Sequence, residues 1–152
     1  MYTVTIKQIT DIQDSIIDEV IAVCAQIPEF DKPYSQSEYQ TRLQNSTVLL
    51  QYIYVEDELA GFKLGYSTQN NHFYSWLGGI LPDFRKLGLA ELLLKDQELW
   101  VSAQGFAAIE VKTLNRFGAM LSMLVKHSYE IMSVDTNKHS TSLNKLYLQK
   151  LI

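Results

Sequence analysis

The residues Arg85-Lys86-Leu87-Gly88-Leu89-Ala90 follow Pro82-Asp83-Phe84 and precede the apolar run from Glu91 to Trp100. This order predicts a strand, a short basic turn containing glycine, and then a helix. A helix N-terminus leaves backbone N–H groups without intrahelical partners, and anions bind there. Arg85 and Lys86 add positive charge at the same place. The chemistry on offer is capture of a phosphate or diphosphate. The same residues also suit an ordinary loop with a helix cap, so the surrounding elements must decide.

Other residues could serve beside this turn. Gly78-Gly79 lies within a stretch of β-formers from Phe73 to Ile80. Glycines in a strand point to a bulge, or to close approach by another backbone or a ligand. Asn115 precedes an apolar periodic segment, where asparagine is a preferred helix cap. Cys24 falls on an apolar helix face and reads as core. With a single cysteine there is no internal disulfide. His72, His127 and His139 lack metal-ligand spacing, so no metal site is expected. Phe30, Tyr34 and Tyr39 could line a pocket or form the underside of a helix pair.

The elements that must position these residues follow from periodicity. Val4 and Ile6 alternate with polar residues in a first strand. Thr10 and Gln13 fit a capping box ahead of a helix whose apolar face is Ile16, Ile17, Val20, Ile21, Cys24 and Ile27, ended by Pro28. Ser35-Gln36-Ser37-Glu38 opens a second, short helix through about Leu43. Val48 to Val55 and Leu59 to Tyr66 form a hairpin around Glu56-Asp57-Glu58. Phe73 to Ile80 is the next strand. Beyond the basic turn, Leu89, Leu92, Leu93, Leu99, Trp100 and Ala103 make a helical face, with Glu91 and Lys95 paired on the other side and Gly105 as a stop. Ile109 to Thr113 alternates as a strand. Phe117, Met120, Leu121, Leu124 and Val125 give a helix. Tyr129 to Val134 and Leu143 to Ile152 are closing strands. The order β α α β β β α β α β β, with an early hairpin and one strand–helix–strand crossover, predicts a mixed α/β fold with helices on both faces of the sheet.

Composition narrows the class. At 152 residues, 47% hydrophobic and 20% charged, the chain suits one globular domain, residues 1–152. No apolar run is long enough to span a bilayer, and Met1 to Thr10 lacks the features of a signal peptide, so a cytoplasmic protein is expected. A net charge of −4 disfavours a general nucleic-acid binder. The apolar closing strands suggest an exposed edge that could pair with a second copy, hence a homodimer.

With these elements in place, Arg85 to Ala90 resembles the Arg/Gln-x-x-Gly-x-Gly/Ala signature of the GNAT superfamily of N-acetyltransferases. Ile80 to Phe84 is similar to the end of that family's fourth strand, and Asn115 to Tyr129 to its second motif. The resemblance covers nearly the whole chain. It implies a central, mostly antiparallel sheet of about seven strands and acetyl-CoA as cosubstrate. The diphosphate would rest on the amides of Leu87, Gly88, Leu89 and Ala90, near Arg85 and Lys86. The pantetheine arm would lie along Ile80 and Leu81, in a gap between Phe73–Ile80 and Ala107–Thr113, with Asn115 touching it. The acceptor would be a small-molecule or protein amine, attacked directly in a ternary complex.

Two groups common in the family are missing by position. Tyr74-Ser75-Trp76-Leu77 holds no carboxylate, and Met120 to Leu124 holds no tyrosine. Tyr74 on the strand and Glu29 in the Ile27 to Phe30 loop are the remaining candidates for proton transfer. A non-catalytic acyl-CoA-binding module is the alternative reading. A nucleotide-binding α/β protein lacks its Gly-x-x-x-x-Gly-Lys-Ser/Thr motif here.

Overall fold

Alternating and β-branched segments form seven strands in the computed structural model, which describes residues 1–152. In chain order the elements are β1 (Val4–Ile9), α1 (Asp14–Cys24), α2 (Gln36–Leu43), β2 (Val48–Val55), β3 (Glu58–Ser67), β4 (His72–Ile80), α3 (Leu89–Ala103), β5 (Ala108–Leu114), α4 (Gly118–Lys126), β6 (Glu130–Asp135) and β7 (Lys145–Leu151). The sheet order is β1-β2-β3-β4-β5-β7-β6. Every neighbouring pair is antiparallel except β4–β5. No helix is long and apolar enough to cross a membrane.

The β2–β3 hairpin closes with Val55 opposite Glu58, so the turn is Glu56-Asp57 alone. Both residues have positive φ, 49° and 69°, the left-handed pair that a tight two-residue hairpin needs. Strand alternation divides the core between two layers. Phe62, Leu64, Tyr74, Trp76 and Leu77 pack against α1 and α2 with Ile17, Val20, Cys24 and Tyr39. Leu49, Phe73, Ile109 and Val111 pack with Leu94 and Val101 of α3 and Leu124 of α4.

Some local expectations need correction. The Thr10–Gln13 capping box does not form: the chain stays extended through Gln13, which is itself the N-cap of α1 and makes no side-chain cap bond. Ser35 does cap α2, accepting from the Glu38 amide at 3.3 Å. The buried stripe of α3 is Leu89, Leu93, Leu94, Gln97 and Val101, whereas Leu92 and Leu99 are exposed. Leucines surround this helix, so their presence alone does not mark the inner face. In α4, Val125 is likewise exposed. The strand expected over Tyr129 to Val134 starts one residue later, and all six residues of β6 are exposed because it forms the sheet edge.

Candidate functional site

The sheet opens in its middle. β4 and β5 pair only from His72–Ala108 to Ser75–Val111. Past that point β4 runs on to Ile80 against β3 alone, while β5 stays paired to β7. A register shift in β3–β4 marks the same place: Leu64 faces Leu77 and Gly65 faces Ser75, which leaves Trp76 as the extra residue of a bulge. The bulge is therefore not at Gly78-Gly79. Those glycines serve close approach instead. A Cβ on Gly79 would lie 3.0 Å from Ile27 Cδ1 and 3.3 Å from Phe30 Cε2, and one on Gly78 would lie 3.3 Å from the Phe62 carbonyl oxygen.

The open end of β4 leads into the basic turn. After a single turn at Pro82–Phe84, Lys86 and Gly88 both adopt left-handed φ, 64° and 77°. Left-handed residues on both sides of Leu87 curl successive amides toward one concavity, the geometry of an anion nest. The N–H groups of Leu87, Gly88, Leu89 and Ala90 donate to no other backbone group. They stand at the N-terminus of the 15-residue α3, whose dipole adds partial positive charge. A Cβ on Gly88 would meet nothing within 4 Å, so conformation, not space, calls for glycine there.

Arg85 is committed elsewhere. Its Nε donates to the Ile80 carbonyl at 3.2 Å, and Nη1 and Nη2 donate to the two Glu29 carboxylate oxygens at 3.0 and 2.6 Å. That forked contact holds the Glu29 carboxyl below its ordinary range, which suits it to holding a guanidinium more than to removing a proton. Two residues on, Asp31 pairs with Arg116 at 3.5 Å. The α1–α2 loop is thus strapped to the β4–α3 turn on one side and the β5–α4 turn on the other. Pro28, Glu29, Asp31, Arg116 and Phe117 line a surface cavity of about 250 Å³ between them. Both ion pairs are exposed, so each contributes at most about 1 kcal/mol.

Tyr74 lies in the paired part of β4, opposite Glu110, on the face toward α1 and α2. Burial, followed by nearby Tyr66, pushes its phenol well above the ordinary range, so it is a neutral donor. Six residues of strand, roughly 20 Å, separate it from Ile80; the fold does not bring Tyr74 and Glu29 together. Around Tyr74 stand Tyr66, Trp76, Tyr34 and Tyr39, with the Arg42 guanidinium 4.6 Å from the Trp76 ring centre. The aromatic cluster expected near this wall is divided: Tyr39 is core, and Tyr34 is partly exposed over Trp76.

Three residues expected along the arm have hydrogen-bond partners within the chain. The Leu81 amide donates to the Ala60 carbonyl at 2.8 Å, and the Ile80 carbonyl takes Arg85. Asn115 does not open α4, which begins at Gly118 with Phe117 as its N-cap. Its side-chain amide donates to the Thr141 carbonyl at 3.1 Å, because the loop before β7 folds back onto this turn.

Apart from Lys63, the polar groups under α3 carry no local signal in the sequence. The buried polar residues are Gln51, Lys63, Ser75, Gln97 and Thr113. Strand parity puts the four strand residues on the α3–α4 face, since Leu49, Phe73 and Val111 of the same parity pack there. Gln51 donates to the Leu93 carbonyl at 3.1 Å and to Asp96 at 2.8 Å. Gln97 is 0% exposed, and neither polar atom of its amide has a partner. An unpaired buried group of this kind costs about 1–3 kcal/mol. Gln97→Met should therefore raise stability by roughly 1 kcal/mol, read as an upward shift of the urea unfolding midpoint. The available signal for this cluster is Lys63 itself, a charge at an inward position of an otherwise apolar strand. No group of three or more histidine, cysteine or acidic side chains is arranged to hold a metal ion.

No protein-family model matches the chain, and no curated protein matches it in sequence. Solved structures do match in shape. The ribosomal-protein-S18-alanine N-acetyltransferase from Escherichia coli superposes with a TM-score of 0.82 at 12% identity, over 99% of this chain and 94% of that one. An acetyltransferase of the GNAT family from Streptococcus pneumoniae gives 0.74 at 14%, over 99% and 100%. A Bacillus subtilis acetyltransferase solved in complex with CoA gives 0.74 at 15%, over 99% of each. The fold is that of the GNAT acetyltransferases, as the order of elements leads one to expect.

Proposed function

We propose that this chain moves an acetyl group from acetyl-CoA to a primary amine by direct attack within a ternary complex. The observation that carries the reading is the continuity of two features: the parting of β4 from β5 after Ser75 and Val111, and the left-handed, amide-lined turn at Lys86 and Gly88 to which the free arm of β4 leads. The residues fit a CoA molecule. The amides of Leu87, Gly88, Leu89 and Ala90, with Lys86 beside them, would hold its diphosphate. The peptide groups of β4 that face the gap would receive the amide-bearing arm as an added strand. Bound there, the cosubstrate supplies an activated acyl carbon.

The protein must then provide for charge and protons. Presenting a lysine amine in neutral form at pH 7 costs about 4–5 kcal/mol, and an α-amine about 1 kcal/mol. The aromatic cluster of Tyr34, Tyr66, Tyr74 and Trp76 on the α1–α2 face would favour the uncharged form of an amine brought against it. A β4 amide directed into the gap is suited to the developing oxyanion. Tyr74 can donate a hydrogen bond, and Glu29 acts by holding Arg85.

A non-catalytic acyl-CoA-binding module is the second reading. It is favoured by the neutral Tyr74 phenol and by the ion-paired state of Glu29. One experiment tests both: calorimetric titration with CoA, ATP and NAD, followed by thiol release from acetyl-CoA across a panel of amines. Uptake of CoA alone with amine-dependent thiol release is expected. Uptake without release by any amine would favour the binding module, and no uptake of CoA would end both readings.

A further inference from the structure

Lys63 is the one charged side chain among the buried residues of the molecule, at 7% exposed. It stands on β3 directly opposite Gly78, three residues beyond the last β4–β5 pair. Its Cγ lies 3.4 Å from where a Gly78 Cβ would be, so its stem packs beside that glycine. Lys63 shares the α3 face with its register partner Gln51, and only β4 separates it from the gap, a span that a lysine stem can cross. None of the salt bridges of the molecule includes it. On α3, Glu98 acts on it electrostatically and Asp96 binds its register partner Gln51, and both carboxylates are already engaged. Glu98 takes the Tyr129 hydroxyl and Lys150, and Asp96 takes Gln8 and Gln51. The other buried polar residues, Gln51, Ser75 on β4, Thr113 on β5 and the unpartnered Gln97 on α3, are all uncharged.

We propose that Lys63 reaches the sulfur of an acyl-CoA held between β4 and β5 and gives its proton to the departing thiolate. The proposal rests on the acetyl-CoA reading above. In the step, the lone pair of a neutral acceptor amine forms an N–C bond to the thioester carbon. The C–S bond breaks and sulfur leaves with the electron pair. The Lys63 ammonium transfers a proton to that sulfur, and the acetylated nitrogen returns its excess proton to the Lys63 amine. The products are an amide and a free thiol, and the lysine is recovered as ammonium. Burial brings the Lys63 pKa down to about 8, opposed in part by Glu98, so the group is mostly charged at neutral pH yet surrenders a proton readily.

The test needs no known acceptor. CoA is bound to excess protein, and the ultraviolet absorbance of its thiolate is followed against pH, with the signal of protein alone subtracted. The unchanged chain, Lys63→Met and Lys63→Gln are compared, and free CoA is the reference. An ammonium beside the sulfur should lower the bound thiol's pKa by about one unit or more in the unchanged chain. In both variants the thiol should titrate at or above free CoA, with calorimetric uptake of CoA at pH 6 retained. If CoA binds but its thiol titrates in the unchanged chain as it does free, or alike in all three proteins, the role of Lys63 is overturned and the acetyl-CoA reading survives. If the unchanged chain takes up no CoA, the acetyl-CoA reading falls and the role of Lys63 falls with it.

Discussion

Leu94→Ala should lower the stability of the protein by about 2–5 kcal/mol. Leu94 is 0% exposed and packs among Leu49, Phe73, Val101 and Ile109, so the lost methyl groups leave a cavity that surrounding strands cannot collapse to fill. For a chain of this size each kcal/mol corresponds to about 2–4 °C, so the melting temperature should drop by roughly 5–20 °C. Leu99→Ala is the control. It lies on the same helix but is 73% exposed, and its change should stay within about 0.5 kcal/mol. Equal shifts in the two variants would mean that the assigned inner face of α3 is wrong, and with it the placement of the cradle at the helix's N-terminus.

Gly88→Val should weaken CoA binding at least about a hundredfold. A β-branched residue at φ 77° is a backbone outlier, and relieving it rotates the amides that curl around Leu87. Hydrogen bonds from such amides to a charged oxygen are worth about 1.5–3 kcal/mol each, and losing two amounts to a factor of a hundred or more. The matched control is Gly105→Val. Gly105 also has left-handed φ, 84°, and a Cβ there would likewise meet nothing within 4 Å, but it lies past the other end of α3. Both variants should lose roughly 1–3 kcal/mol of stability from strain, and only Gly88→Val should lose affinity. Calorimetry with CoA separates the two effects. An equal affinity for both variants would show that the turn does not bind the diphosphate.

The layout of this fold is legible in the sequence because its signals are local. The polar turn after Val55, the Ser35 cap and the runs of β-formers from Val48 to Val55 and Leu59 to Tyr66 each act over a few residues, and all persist in the folded chain. Partnerships made across the chain are not legible. Nothing near Glu29 in sequence announces that Arg85, far along the chain, will grip it, and nothing near Asn115 announces Thr141. The inner face of α3 is hidden for a related reason. Leu92 and Leu99 have the right chemistry, but the sheet fixes the rotation of the helix, and it turns Gln97 inward instead. Lys63 escapes notice because its strand reads as apolar and a single charge there looks like surface. Its burial becomes visible only once the parity of β3 is set by the strands on both sides.

The parity of β4 is governed by Trp76. Because Trp76 has no partner on β3, Trp76 and Leu77 both turn to the α1–α2 layer, and every residue after them faces opposite to its uninterrupted phase. Gly79 thereby meets Ile27 and Phe30, and Gly78 falls under Lys63. A strand in which Trp76 paired in regular alternation would present Gly78 to the first helix and Gly79 to the lysine, closing both clearances at once. One residue left out of the pairing thus works as a switch in odd–even count, letting one continuous strand serve as a wall for two differently furnished compartments.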